Sequence, residues 1–166
     1  MIEYPKKILL ATDGTKGSAT AASAAVALAT SSGAELHMFH VGHAAQTSEV
    51  ATAMRPALSD EPPGYAERQA RKLLERQVEE IRAAGGTVSV ARLRTGQPSS
   101  EVLALATELG VDLLVVGSGG PHKMRRAVAA TVRRAALGRA ADVIVCNAHC
   151  PVLVARGDGL PEADGS

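Results

Sequence analysis

Aromatic side chains are almost missing from this sequence: no tryptophan, two tyrosines and one phenylalanine in 166 residues. Without them there is no stacking platform for single-stranded nucleic acid, and no nucleic-acid partner is expected. The core must then come from alanine, valine, leucine and isoleucine, which suits helices packed closely on a sheet. No apolar run reaches the length of a membrane span. The opening residues lead straight into an apolar run and lack a signal-peptide core, so the cytoplasm is the expected compartment. Cysteine is limited to Cys146 and Cys150. They are expected to be reduced thiols, and with His149 they lack the second ligand pair of a zinc site. Net charge is only +1, so bulk charge names no partner.

What the chain does have is alternation. Apolar, β-branched runs predict strands over 8–11, 35–41, 87–93, 111–116 and 151–155. Between them lie helical patterns over 15–32, 65–84, 99–109 and 124–146, the last broken near Gly138. In the first helix Ala21, Ala25, Leu28 and Ala29 share a face, with Asp13 or Thr15 as cap and Gly33 as stop. The second is highly charged, with Ala70, Leu74, Val78 and Ile81 as its buried stripe, Arg71 and Glu75 four apart, and Gly85-Gly86 as its end. Residues 42–64 hold three prolines and no long period, and read as a crossover loop with a short helix near 50–54. Residues 157–166 read as a polar, unstructured tail after one domain over 1–156. Strands alternating with helices imply an α/β fold with a doubly wound, mainly parallel sheet and helices on both faces. Two halves then meet at a switch point, and the strand exits at Asp13 and Gly117 face one crevice.

The run Val111-Asp112-Leu113-Leu114-Val115-Val116 passes directly into Gly117-Ser118-Gly119-Gly120. A buried strand running into a glycine-rich turn is how a doubly wound sheet lets backbone approach phosphate. From Pro121 to Arg139 there is no acidic residue and there are six cations. Arg125, Arg126, Arg133 and Arg134 share one helical face, either a solvated face or a contact for an anionic ligand. His37, His40 and His43 suggest a metal set. On a strand, however, His40 faces away from His37, and no metal is expected. No spacing supplies a catalytic base, a Walker-type lysine or a Ser-His-Asp set, so no catalytic residue is assigned.

Four blocks resemble the universal stress protein family. They are Lys7-Ile8-Leu9-Leu10-Ala11-Thr12-Asp13-Gly14, Gly33-Ala34-Glu35-Leu36 through His40-Val41, Gly96-Gln97-Pro98 with Glu101 and then 110–118, and Ala148-His149-Cys150-Pro151-Val152-Leu153-Val154. The resemblance implies five strands in the order 3-2-1-4-5, a role in stress response, and ATP or AMP as ligand, with or without Mg. It implies contacts from Ala11, Thr12, Asp13 and Val41 to the adenosine part. It also implies a homodimer through the last strand, Val152, Leu153 and Val154. Family members that bind ATP carry G-x2-G-x9-G-[ST]. Gly117 and Gly120 match its first half, with Gly119 between them. A spacing of nine lands on Ala130-Thr131. Alignment from His149-Cys150-Pro151 lands instead on Gly138-Arg139, followed by Ala140, and implies an eight-residue basic insertion. The second alignment keeps Asp142 in step and is preferred. Arg139 then replaces a hydroxyl residue, and either grips phosphate as a fork or fills its space. Two other functions stay open: a nucleotide-independent dimeric interaction module, and a slow ATPase.

Overall fold

In the computed structural model the described residues are 4–14, 16–43, 64–118 and 138–156. Nine elements follow in order: β1 (Lys7–Thr12), α1 (Lys16–Ser32), β2 (Glu35–His43), α2 (Tyr65–Ala83), β3 (Val90–Gly96), α3 (Pro98–Leu109), β4 (Leu113–Gly117), α4 (Arg139–Asn147) and β5 (Val152–Ala155). The five strands form one sheet in the order β3-β2-β1-β4-β5. Every pairing is parallel.

Strand alternation divides the core in two. Ile8, Leu10, Leu36, Met38 and Val115 face α1 and α2, where Ala21, Ala25, Leu74, Val78 and Ile81 meet them. Leu9, Phe39, Val41, Leu114 and Val116 face α3 and α4, against Val102, Leu105, Ala106, Ala141 and Ile144. The small residues of α1 let its backbone lie close on the central strands. Of the expected α2 stripe, Leu74, Val78 and Ile81 are buried and Ala70 is half-buried.

Helix ends follow the chemistry of their caps. Gly33 and Gly110 end α1 and α3 in the left-handed region, at φ +71° and +59°. After α2 the Gly86 N–H reaches the Ile81 carbonyl at 2.9 Å and the Gly85 N–H reaches Arg82 at 3.0 Å. Pro98 opens α3, where its missing N–H costs nothing.

Several local expectations shift, among them β4, which starts at Leu113 rather than 111 and takes in Gly117. β3 starts at Val90 rather than 87 and continues through Thr95 and Gly96, because it pairs residue for residue with His37 to His43. β2 likewise takes in Gly42 and His43, so the crossover begins later than expected. Arg71 pairs with Glu67 at 3.3 Å rather than with Glu75. The acid then lies four residues N-terminal to the base, which is the better order along a helix. The short helix expected near 50–54, Thr15, most of the basic stretch and the 157–166 tail lie outside the described residues.

Candidate functional site

The β1 and β4 exits lie side by side at the switch point, because β1 pairs with β2 on one edge and with β4 on the other. A crevice of about 240 Å³ opens there. Ala11, Thr12 and Asp13 reach it from β1, Val41 from β2, Gly117 from β4, and Gly138, Arg139 and Ala140 from the start of α4. These are the residues singled out in the sequence, except Gly119 and Gly120, which lie outside the described residues. Phe39, Val102, Val116 and Ile144 add an apolar wall. Sequence reasoning singled out none of them as a site residue; each is an apolar side chain in a strand or helix, a pattern that signals a core position equally well.

The lining also has polar members. Asp13 is exposed just past β1, and Thr12 and Ser18 are buried behind it. The Thr12 hydroxyl donates to Ser18 Oγ at 3.1 Å and accepts from Gln77 Nε2 at 2.8 Å. The start of α4 also lines the crevice. Gly138 is extended, and among the described residues no side chain caps the helix. The positive end of the helix dipole therefore looks into the crevice. The Gly138 N–H is held by the Ser118 carbonyl at 2.7 Å, and the Ser118 N–H by Ala155 at 2.7 Å. Ser118 and Gly138, which flank residues 119–137, are thus joined by one hydrogen bond. Arg139 is exposed and lines the crevice.

Gly117 has a reason for being glycine that the sequence did not disclose. A Cβ there would stand 2.9 Å from the Gly17 carbonyl carbon and 3.1 Å from the Ser18 nitrogen. The first turn of α1 packs against this backbone.

The profile of the Universal stress protein family matches residues 5–156. This chain belongs to the universal stress protein family. Universal stress protein YxiE of Bacillus subtilis (strain 168) is 33 % identical over 154 residues, 90 % of this chain and 98 % of that one. The solved structure of hypothetical protein MJ0577 overlays with a TM-score of 0.71 at 22 % identity, over 96 % of this chain and all of that one. A universal stress protein solved in complex with cAMP overlays at 0.62 and 21 % identity, over 93 % of this chain and 99 % of that one. The match supports the fold resemblance read from the four blocks.

Elsewhere in this universal stress protein, the described residues hold two buried histidines and two cysteines. His37 and His40 are both buried, and His37 Nε2 meets Glu35 Oε2 at 3.3 Å. Among the described residues no three His, Cys, Asp or Glu side chains gather as a metal site. Cys146 is exposed and Cys150 half-buried, neither in a disulfide. Burial pushes the Cys150 thiol above its ordinary value. Among the described residues no helix is long and apolar enough to cross a membrane. Arg125, Arg126, Arg133 and Arg134 lie outside the described residues.

Proposed function

We propose that this universal stress protein binds an adenine nucleotide, ATP or AMP, in the crevice at the β1 and β4 exits. One observation carries the reading: a single crevice brings together apolar Val41, Phe39 and Val102, a carboxylate at Asp13 and the start of α4 at Gly138. A nucleotide combines groups that suit all three. Its flat base would lie against the apolar wall and its ribose hydroxyls by Asp13. Its phosphates would meet the helix start at Gly138, Arg139 and Ala140, with Gly119 and Gly120 contributing backbone. Arg139, exposed at the mouth, would add a cation where the motif carries a hydroxyl. A universal stress protein of related fold has been solved in complex with cAMP, which supports a nucleotide as the class of ligand. Mg would accompany ATP through its phosphates. We place the protein in the cytoplasm, as a homodimer through β5, acting in stress response.

The test is direct. Purified protein is denatured and the supernatant analysed by mass spectrometry for ATP, ADP and AMP, and the stripped protein is titrated calorimetrically with ATP and Mg. Asp13→Ala should weaken ATP about tenfold, the loss expected for one charge-assisted hydrogen bond. No bound nucleotide and no heat at millimolar ATP would sink the reading. The nucleotide-independent module would then take its place, favoured by the arginine in the hydroxyl position.

A further inference from the structure

Helix α2 supplies none of the crevice lining among the described residues, yet two of its side chains hold the turn that carries Asp13. Gln77 Nε2 donates to the Thr12 hydroxyl at 2.8 Å, and that hydroxyl donates onward to Ser18 Oγ at 3.1 Å. The Gly14 N–H points at the same Thr12 oxygen at 3.4 Å. One helical turn earlier, Leu73 closes on Gly14: a Cβ there would stand 2.7 Å from Leu73 Cδ2. Gly14 is in the left-handed region at φ +78°, so the turn has a fixed and unusual backbone path. Leu73 and Gln77 are four apart, hence on one face of α2, and they bracket Asp13 at Thr12 and at Gly14.

Gln77 is also an odd residue for mere packing. Its Oε1 is buried and has no hydrogen-bond partner among the described residues. An amide with one satisfied end costs stability that an apolar side chain of the same shape would not. What the amide provides is an N–H that sets the direction of the Thr12 hydroxyl, which then has its proton committed to Ser18.

We infer that Gln77 is a positioning residue for nucleotide binding, fixing the Thr12-Asp13-Gly14 turn from the side of the sheet opposite the apolar wall. Through it, the seating of α2 sets how well Asp13 meets a ribose. The inference rests on the nucleotide reading of the crevice.

The experiment uses Gln77→Met, which keeps length and flexibility but removes the donor, alone and together with Thr12→Val. ATP affinity is measured by calorimetry, stability by thermal unfolding, and amide exchange at Asp13 and Gly14 by NMR without nucleotide. Positioning predicts about fivefold to tenfold weaker ATP binding with an unchanged or higher Tm, since the half-satisfied amide is gone. It also predicts no further loss when Gln77→Met is added to Thr12→Val, and faster exchange at Asp13 and Gly14. Unchanged ATP affinity in the folded variant overturns the inference. So does an equal affinity loss in both backgrounds accompanied by a lower Tm, which marks a structural residue. If the wild type binds no ATP, the nucleotide reading fails by itself. Exchange then decides the positioning claim, and unaltered exchange at Asp13 and Gly14 overturns it.

Discussion

Two residues of the universal stress protein chain illustrate how a motif can be right in place and incomplete in cause. Gly117 was legible as a glycine at a strand exit, and ligand approach was the reason the sequence suggested. The structure adds a nearer one, the Gly17 and Ser18 backbone of α1, whose packing cannot be seen without the fold. Backbone does not swing away as a side chain end does. Gly117→Ala should therefore cost about 1–3 kcal/mol, the usual range for overpacking. Denaturant unfolding would show it as a lower midpoint at unchanged slope, and a variant as stable as the parent would refute the contact. Asp112 belongs to the same motif block, but its carboxylate has a structural duty. One oxygen accepts the Lys6 and Lys7 N–H groups, each at 2.9 Å, and so ties the start of β1 to β4. Asp112→Ala should cost about 1–3 kcal/mol, since both donors lose a charged acceptor. ATP titration of the folded variant should match the parent, because Asp112 stands at the other end of the strands from the crevice.

At the scale of elements, the buried faces of α1 and α2 were legible because helix periodicity and burial report the same thing. The position of β3 was not. Its apolar alternation pointed to 87–93, while its pairing with β2 carries it to Gly96. The extension depends on a contact remote in sequence. Arg94 of β3 reaches Glu108 of α3 at 2.6 Å and Glu101 at 3.8 Å. Gly96 leaves room for Glu101 to fold back, since a Cβ would meet its Oε1 at 2.8 Å. The hydrogen bond from Arg94, with its charge, holds the Glu108 carboxyl below its ordinary value. Glu108 in turn raises the Arg94 guanidinium. A carboxylate with a depressed folded pKa contributes stability above its unfolded pKa and loses it as pH falls through the folded value. The raised Arg94 works the other way: its contribution is full below its unfolded pKa and disappears only in strong alkali. The whole change thus falls on the acid side. Thermal unfolding between pH 6 and pH 3 should show a Tm that declines less steeply in Arg94→Met than in the parent. High salt should narrow the gap, because these groups are exposed. Parallel curves for the two proteins would remove Glu108 from the account.

For the whole molecule, the order β3-β2-β1-β4-β5 puts β3 and β5 at the edges of the sheet, and the edges differ. Along β3, Arg92 and Arg94 are charged neighbours on a largely exposed strand, which discourages a second strand from pairing. β5 is Val152-Leu153-Val154-Ala155, without a charge, and Leu153 is 37 % exposed. Val143 and Val145 on α4, the helix leading into that strand, are 37 % and 42 % exposed. The apolar character of β5 was readable in the sequence; that this edge rather than β3 is the undefended one needed the strand order. The Leu114 N–H takes the Pro151 carbonyl at 3.0 Å and the Ser118 N–H takes Ala155 at 2.7 Å. Alternation along a parallel strand then turns the N–H groups of Val152 and Val154 outward, away from β4. An antiparallel pair of two β5 strands about a two-fold axis would satisfy those groups and cover Leu153 together. Val152→Pro deletes one outward N–H without touching the bonds to β4, and Leu153→Lys puts a charge in the proposed seam. Both should run as monomers by light scattering at concentrations where the parent is a dimer, with the helical circular dichroism kept. A parent that is monomeric at micromolar concentration, or a dimer that survives both changes, would move the contact away from β5.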